Sequence, residues 1–267
     1  MKLMIFTVAL VCSTATAANH QSIYVYADKG VSSESLAQTL HTTQALFDKN
    51  YTIQTLKASA VIKGKWRGDA ALFIMPGGAD IPYDQALRGK GNEQIKAFVM
   101  HGGAYLGICA GGYYGSQHIV FAPGTALEVK GDRELAFFKG TASGPALAPY
   151  DLNSNKGARA ARLNLSNTKQ ATVYYNGGGQ YVAHSMPDNF SIIARYRDLP
   201  EQPPAIIKVK VGEGVAILSG VHFDYDQALL NRTDPYLQSI IKTLKNHEQE
   251  RQALLRSVFS QLGLEIM

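Results

Sequence analysis

The run from Ala104 to Gly112 constrains the fold of this chain more than any other segment. Five mostly apolar residues, Ala104 to Ile108, lead directly into Cys109, and Ala-Gly-Gly follows. A side chain presented between a strand and a helix needs small neighbours, because the backbone turns sharply there and the helix packs close to the strand. The run therefore predicts a strand, a sharp turn that presents the Cys109 thiol, and a helix.

Strands alternate with helices through the first half of the chain. Strands are predicted at 22–27, 51–56, 70–75 and 104–108, and helices after residue 31 and at 92–100. This alternation is typical of a mostly parallel sheet with helices on both faces. From about residue 121 to 197, short β-like runs are broken by Gly, Pro and Asn. This middle region predicts an antiparallel or irregular extension of the sheet, or a cap beside the site.

A hairpin and a helical region complete the chain. Residues 205–211 and 215–219 read as two strands joined by a Gly-Glu-Gly turn, and residues 235–262 have helical periodicity. No internal repeat, low-complexity tract or flexible linker interrupts the sequence. We therefore expect one α/β domain over residues 18–267.

The first 17 residues have the pattern of a cleavable export signal. Lys2 supplies a positive charge, Leu3 to Val11 form a short apolar stretch, and Ala15-Thr16-Ala17 offers a small-residue cleavage site. The apolar stretch is too short to span a bilayer, and no later segment is long and apolar enough to do so. The sequence predicts a periplasmic or secreted protein that begins at residue 18.

Composition excludes several classes of partner. The net charge is +5, but the basic residues are scattered and no aromatic–basic stripe accompanies them, which argues against a nucleic-acid partner. No group of His, Cys, Asp and Glu has the spacing of a metal site, and no glycine motif fits a phosphate-binding loop. We expect neither a metal nor a cofactor.

Three side chains predicted at strand ends suggest nucleophilic chemistry. Cys109, the only cysteine besides Cys12 in the predicted signal, supplies a thiol, and the following helix N-terminus favours its thiolate form. His222 follows a strand and can act as its base, and Asp224 can orient the imidazole. The alternatives are an inert buried cysteine, an ordinary loop histidine and an aspartate that caps a helix. The C-terminal ends of parallel strands share one crevice, which favours the catalytic interpretation.

A glycine loop adds a candidate oxyanion site. Pro76-Gly77-Gly78 follows a predicted strand, and its N–H groups, with that of Ala110, can face a developing negative charge. The same loop is also common as a plain turn.

Together these segments resemble the class I glutamine amidotransferase-like superfamily, through a P-G-G loop, a G-x-C-x-G elbow and a late H-x-D in place of H-x-E. They are most similar to the family named after the N-terminal domain of eukaryotic-type biotin–protein ligases. The segments that carry this resemblance are residues 76–83, 91–95, 103–111, 133–135 and 174–179.

The resemblance implies a flavodoxin-like three-layer α/β/α sandwich, with Cys109 as nucleophile and His222 as base. It also implies a pocket lined by four further residues: Asp80, Tyr83, Arg133 and Asn176. Asp224 is one methylene shorter than the usual glutamate, which leaves the third member of the triad open.

Three functions are weighed on this basis. The leading hypothesis is an exported cysteine-dependent hydrolase or acyltransferase that acts on an amide or related acyl bond of a small-molecule or peptide-like substrate. The alternatives are a non-catalytic ligand-binding module on the same scaffold and a structural or assembly role. The chain shows no adenylate-forming Gly/Arg-rich loop or separate catalytic domain, so we expect that it is not itself a biotin ligase. The sequence leaves the substrate and the oligomeric state open.

Overall fold

The structure, a computed structural model, describes residues 22–47, 49–147, 150–184 and 189–266. The predicted signal peptide, residues 1–17 with Cys12, lies outside these ranges and stays a prediction. Within them, no helix has the length and apolar character needed to cross a membrane.

Strands dominate the described chain. They are β1 (Ser22–Tyr26), β2 (Thr52–Leu56), β3 (Ala70–Met75), β4 (Ala104–Ile108), β5 (Ser116–Phe121), β6 (Val129–Asp132), β7 (Phe138–Gly144), β8 (Arg159–Leu165), β9 (Gln170–Tyr175), β10 (Gln180–Ala183), β11 (Phe190–Tyr196), β12 (Pro204–Val211) and β13 (Gly214–Ser219). The helices are α1 (Ser33–Phe47), α2 (Ala58–Lys63), α3 (Asp80–Leu87), α4 (Lys90–Met100), α5 (Ala110–Tyr114), α6 (Gln238–Asn246) and α7 (Glu248–Gln261).

The larger sheet has the strand order β2-β1-β3-β4-β13-β12-β11-β8-β9. Neighbouring strands from β2 to β13 pair in parallel, and those from β13 to β9 pair antiparallel. The predicted parallel first half and the β12–β13 hairpin are confirmed. The β-rich middle region both extends this sheet and builds a second one, in the order β10-β7-β5-β6.

Helices cover both faces of the parallel half. Because side chains alternate along a strand, Ile23 of β1 packs in one cluster with Phe47 of α1 and Leu254 of α7, whereas Tyr24 packs in another with Ile95 of α4. The two clusters lie on opposite faces of the sheet and give the three layers of an α/β/α sandwich. The predicted fold class is confirmed.

Four helices differ from the sequence-based expectation. The short helices α2 and α3 were not predicted, because six and eight residues give little periodicity and Pro82 lies inside α3. The C-terminal helical region forms two helices, α6 and α7, with His247 between them.

Three central strands end side by side. In the parallel register Met75 of β3 lies opposite Gly107 of β4, and Ile108 of β4 lies opposite Ser219 of β13. The loops that follow these strands carry Gly77, Cys109 and His222, so the topology brings the predicted site residues to one edge of the sheet.

Candidate active site

Cys109 occupies a strained turn between β4 and α5. Its backbone has φ 52° and ψ −109°, and its N–H donates to the carbonyl oxygen of Ser219 at 2.8 Å. A Cβ at position 111 would lie 2.0 Å from the carbonyl oxygen of Met75, so only Gly111 lets the helix approach β3 this closely. The predicted elbow is therefore present, and the thiol, 9% exposed, faces a cavity.

His222 reaches Cys109 from the loop after β13. The backbone N–H of His222 donates to the carbonyl oxygen of Tyr174 at 2.8 Å, and this bond holds the loop against the end of β9. The imidazole is buried and interacts with the Cys109 side chain. Its ring centroid lies 4.3 Å from that of Tyr225 and 5.8 Å from that of Tyr174. The nucleophile and base predicted from the sequence thus lie together.

Asp224 lies beside His222 but does not hydrogen-bond to it. Its Oδ1 is 3.7 Å from Nδ1 of His222, and neither of these buried atoms has a hydrogen-bond partner within the described residues. Its Oδ2 accepts a hydrogen bond of 2.7 Å from Thr39 Oγ1, and Thr42 Oγ1 donates to its backbone carbonyl oxygen at 2.6 Å. The carboxylate is therefore held by α1, at ion-pair distance from the imidazole.

The electrostatics of the site favour a charged imidazole. Burial lowers the pKa of His222, but the negative charges of Cys109 and Asp224 outweigh this and raise it to about 10. The His222 imidazole therefore carries a positive charge beside Cys109 at neutral pH.

The Pro76-Gly77-Gly78 loop presents free amides beside the thiol. Gly78 has φ 149°, and a Cβ there would lie 2.0 Å from the carbonyl oxygen of Gly30, with which the loop pairs. A Cβ at Gly77 would lie 2.8 Å from Cε1 of His222. The N–H groups of Gly77, Gly78 and Ala110 donate no hydrogen bond within the part of the chain that the structure describes. They are the candidate oxyanion donors.

A cavity of about 730 Å³ opens in front of Cys109. Aromatic rings form much of its wall, contributed by Tyr113, Phe121, Tyr150, Tyr174 and Tyr225. Glu34, Asp80 and Asp151 also line it, whereas no described lysine or arginine does. Although the chain as a whole is basic, its cavity is acidic and aromatic.

The four predicted substrate-binding residues divide into two groups. Asp80 and Asn176 line the cavity. Tyr83 does not: it lies on α3, fully buried, and its hydroxyl donates to the carbonyl oxygens of Pro76 and Gly77 at 3.1 and 3.2 Å. Arg133 does not line the cavity either and instead holds Asp80 through its Nε at 2.8 Å and Nη2 at 2.6 Å. Tyr83 and Arg133 therefore support the groups that face the cavity.

Burial and Arg133 act on Asp80 in opposite directions. Desolvation raises the pKa of the Asp80 carboxyl, and Arg133 lowers it only in part, so the net shift is upward. Both side chains are largely buried, at 7% exposure for Arg133 and 12% for Asp80.

A polar face of α1 supports the site and was not predicted. Three buried residues of this face, Gln38, Thr39 and Thr42, form hydrogen bonds to the loop after β13. Gln38 accepts a hydrogen bond from the backbone N–H of Asp226. The signal was present, since Ser35, Gln38, Thr39 and Thr42 follow the i, i+3, i+4, i+7 spacing of one helical face.

No group of three or more His, Cys, Asp or Glu residues within the described ranges is placed to hold a metal ion.

Comparison with known proteins identifies the family. The sequence model described as "Biotin-protein ligase, N terminal" matches residues 21–267. A biotin–protein ligase of Schizosaccharomyces pombe is 34% identical over 251 residues, which cover 92% of this chain and 38% of that protein. An uncharacterized protein of Chlamydia muridarum is 34% identical over 252 residues, which cover 91% of this chain and 96% of that protein. The chain thus spans well under half the length of the yeast ligase.

A solved structure supports the fold. A crystal structure of a glutamine amidotransferase aligns with 83% of this chain and 97% of its own, with a TM-score of 0.52 and 15% identity. At this identity the likeness concerns the fold alone. It agrees with the amidotransferase-like architecture that the sequence motifs indicate.

The comparisons correct the sequence-based function. The sequence predicted a function separate from biotin ligation, either an exported cysteine-dependent hydrolase or acyltransferase or a binding module on that scaffold. This prediction is wrong, because the family match and the yeast relative associate the chain with biotin–protein ligases. The absence of an adenylate-forming loop, on which that separation rested, carries little weight for a chain that matches only part of its relative. The chain belongs to the biotin–protein ligase N-terminal family.

Proposed function

We propose that this chain takes part in biotin–protein ligation, by binding the carbonyl group of a biotin derivative at Cys109. The observation that carries the chemical part of the proposal is the pairing of Cys109 with a buried His222 whose pKa is raised to about 10. The link to biotin rests on the yeast ligase, with which 92% of this chain aligns.

The proposed chemistry is a reversible addition. A lone pair of the Cys109 thiolate forms a bond to the carbonyl carbon, and the π electrons of the carbonyl group move to its oxygen. The N–H groups of Gly77, Gly78 and Ala110 lie on the loop and elbow where they can stabilise this oxygen. The His222 imidazolium then donates its proton to the oxygen, which leaves a neutral adduct and a neutral imidazole. No group departs, so the step holds the ligand without cleaving it.

The cavity lining indicates the form of the ligand. Rings such as Tyr150 and Tyr174 offer apolar faces for a compact ring system. Glu34 and Asp151 repel a free carboxylate, and of the described residues that line the cavity only His222, beside Cys109, carries a positive charge. We therefore propose a ligand whose carboxyl group is masked, such as an amide or an aldehyde analogue, rather than biotin itself. Asn176 and Asp80 are the proposed polar contacts.

The test compares three probes by titration calorimetry: biotinamide, the aldehyde analogue of biotin, and pentanal, which lacks the bicyclic ring. The aldehyde is the strongest electrophile and reports on thiol addition. We expect biotinamide to bind both the unmodified protein and Cys109→Ala. The aldehyde should bind the unmodified protein at least about tenfold more tightly than Cys109→Ala, and pentanal should bind weakly to both.

Each result decides a separate part of the proposal. Failure of biotinamide and of the biotin aldehyde to bind either protein would overturn the assignment to biotin. Equal affinity of the aldehyde for the unmodified protein and for Cys109→Ala would overturn the covalent role of the thiol.

A further inference from the structure

We propose that Tyr225 is the positioning residue of His222: contact with the Tyr225 ring, in place of a hydrogen bond from His222 to Asp224, fixes the plane of the imidazole beside Cys109. This inference deepens the proposed function, because it concerns the same site. It can be tested on the protein without any ligand.

The aromatic contacts of His222 are close. The centroids of the His222 and Tyr225 rings lie 4.3 Å apart at an interplanar angle of 52°. Tyr174 stacks on Tyr225 at 4.8 Å and 8°, so the ring against which the imidazole packs is itself packed. All three side chains are buried. A buried imidazole in this position has little freedom to rotate.

Asp224 is poorly placed for the same task. The 3.7 Å between its Oδ1 and Nδ1 of His222 is longer than a hydrogen bond, and both atoms are unpartnered within the described residues. Its other oxygen is taken by Thr39. The carboxylate contributes charge to the imidazole but sets its direction only weakly.

Tyr225 is fixed at its far end. Its hydroxyl and Ser35 Oγ are joined by a hydrogen bond of 2.7 Å between buried groups. Ser35 also lies against the glycine loop, since a Cβ at Gly77 would be 2.6 Å from its Oγ and 2.8 Å from Cε1 of His222. These contacts join four residues into one packed group: Tyr225, Ser35, Gly77 and His222.

The position of Tyr225 also suits a protonated ring. The face of an aromatic ring attracts a cation whose centre lies within about 6 Å, and the attraction grows when water is excluded. The charged and titratable groups around His222 are Cys109, Asp224, Glu34, Tyr174 and Tyr225. Loss of the Tyr225 ring therefore removes one of several stabilising contacts of the imidazolium, and it also frees the imidazole to turn away from the thiolate.

The experiment measures the His222 pKa by NMR titration in three variants. Tyr225→Leu removes the ring, Tyr225→Phe keeps the ring and loses only the hydroxyl, and Tyr236→Leu makes the same change at an exposed tyrosine. We expect Tyr225→Leu to lower the His222 pKa by about one unit, which is a tenfold loss of proton affinity. Tyr225→Phe should restore most of it, and Tyr236→Leu should leave it unchanged. Alkylation of Cys109 by iodoacetamide should slow in Tyr225→Leu alone.

A His222 pKa and a Cys109 alkylation rate unchanged in a folded Tyr225→Leu would overturn the proposal, as would a Tyr225→Phe that behaves like the leucine variant. If Tyr225→Leu does not fold, the ring current of Tyr225 provides the test. It is measured as the difference in His222 chemical shifts between the unmodified protein and a variant with cyclohexylalanine at position 225. We expect the chemical shifts of the carbon-bound ring protons of His222 to change when Tyr225 is replaced by cyclohexylalanine, which has a similar size but no aromatic ring. Unmoved resonances would show that no aromatic face contacts the imidazole.

Discussion

The positive charge of His222 depends on Cys109. The imidazole is buried, and burial alone favours its neutral form. The negative charge of the neighbouring thiolate reverses this preference, with help from Asp224. A pKa of about 10 for His222 therefore depends on its neighbours, and removal of the sulfur should lower it.

The first prediction removes the sulfur charge. In Cys109→Ser the hydroxyl stays neutral, so desolvation is opposed by Asp224 alone. We expect the His222 pKa to fall by more than about one unit, measured by NMR titration. A His222 pKa still near 10 in this variant would contradict the assignment of an ion pair.

At the scale of elements, α1 joins the sheet to the active-site loop. A helix that packs on a sheet normally buries apolar side chains. Besides Phe47, the buried face of α1 carries hydroxyls and an amide, because it must satisfy the carboxylate and backbone groups of the loop that carries His222 and Asp224. Buried polar groups of this kind are costly when their partners are removed.

The second prediction tests this contact with two matched variants. Thr39→Val keeps the shape of the side chain but deletes the 2.7 Å bond to Asp224 Oδ2, and both oxygens of a buried carboxylate then lack a donor. We expect a loss of about 2 kcal/mol in the free energy of unfolding, because hydrogen bonds to charged groups contribute about 1.5–3 kcal/mol. Urea denaturation monitored by circular dichroism measures it.

Thr43→Val is the control for that experiment. Thr43 is also buried on α1, but its hydroxyl donates only to the carbonyl oxygen of Thr39 in the same helix. Its loss should cost less than about 1 kcal/mol, since no buried charge is left unpaired. Equal losses in the two variants would show that the Asp224 contact has no special weight.

Regular elements were the predictable part of this molecule. The strand at Ala70–Met75 and the elbow at Cys109 follow from apolar runs that end in glycine-rich segments, and the structure has both at the predicted residues. The distance between His222 and Asp224 was not predictable, since it depends on how α1 holds the carboxylate from about 185 residues away in the chain. Likewise, Tyr83 and Arg133 belong to the motifs that predicted a pocket lining. Whether such residues line the cavity or support it depends on packing, which the sequence does not show.

At the scale of the whole molecule, distant segments meet at one sheet edge. The glycine loop, the elbow, the end of β9 and the loop after β13 come from positions between residues 76 and 225. The C-terminal helix α7 closes the same side: Phe259 packs on Phe47 of α1 with ring centroids 5.0 Å apart. The active-site loop is therefore enclosed by the first and last helices of the described chain.

Arg251 is the polar link in this closure. It is 2% exposed, and its Nη1 donates to the carbonyl oxygen of Phe223 at 3.0 Å, between His222 and Asp224. Its Nε and Nη2 bind Glu248 on the same helix at 2.8 and 2.5 Å. One buried guanidinium thus connects the C-terminal helix to the backbone of the loop that carries His222. Its removal should therefore change both the free energy of unfolding and the reactivity of Cys109.

The third prediction follows from that link. Arg251→Met fills a similar volume but leaves the buried Phe223 carbonyl oxygen without its donor, and an unsatisfied buried acceptor costs about 1–3 kcal/mol. We expect a loss of about that size in urea denaturation, together with a changed rate of Cys109 alkylation, because the loop that carries His222 loses an anchor. Gln249→Met, an exposed change on the same helix, should alter neither quantity. If Arg251→Met lowered stability while alkylation stayed constant, α7 would support the fold without shaping the site, and the site would be set by α1 and the sheet edge alone.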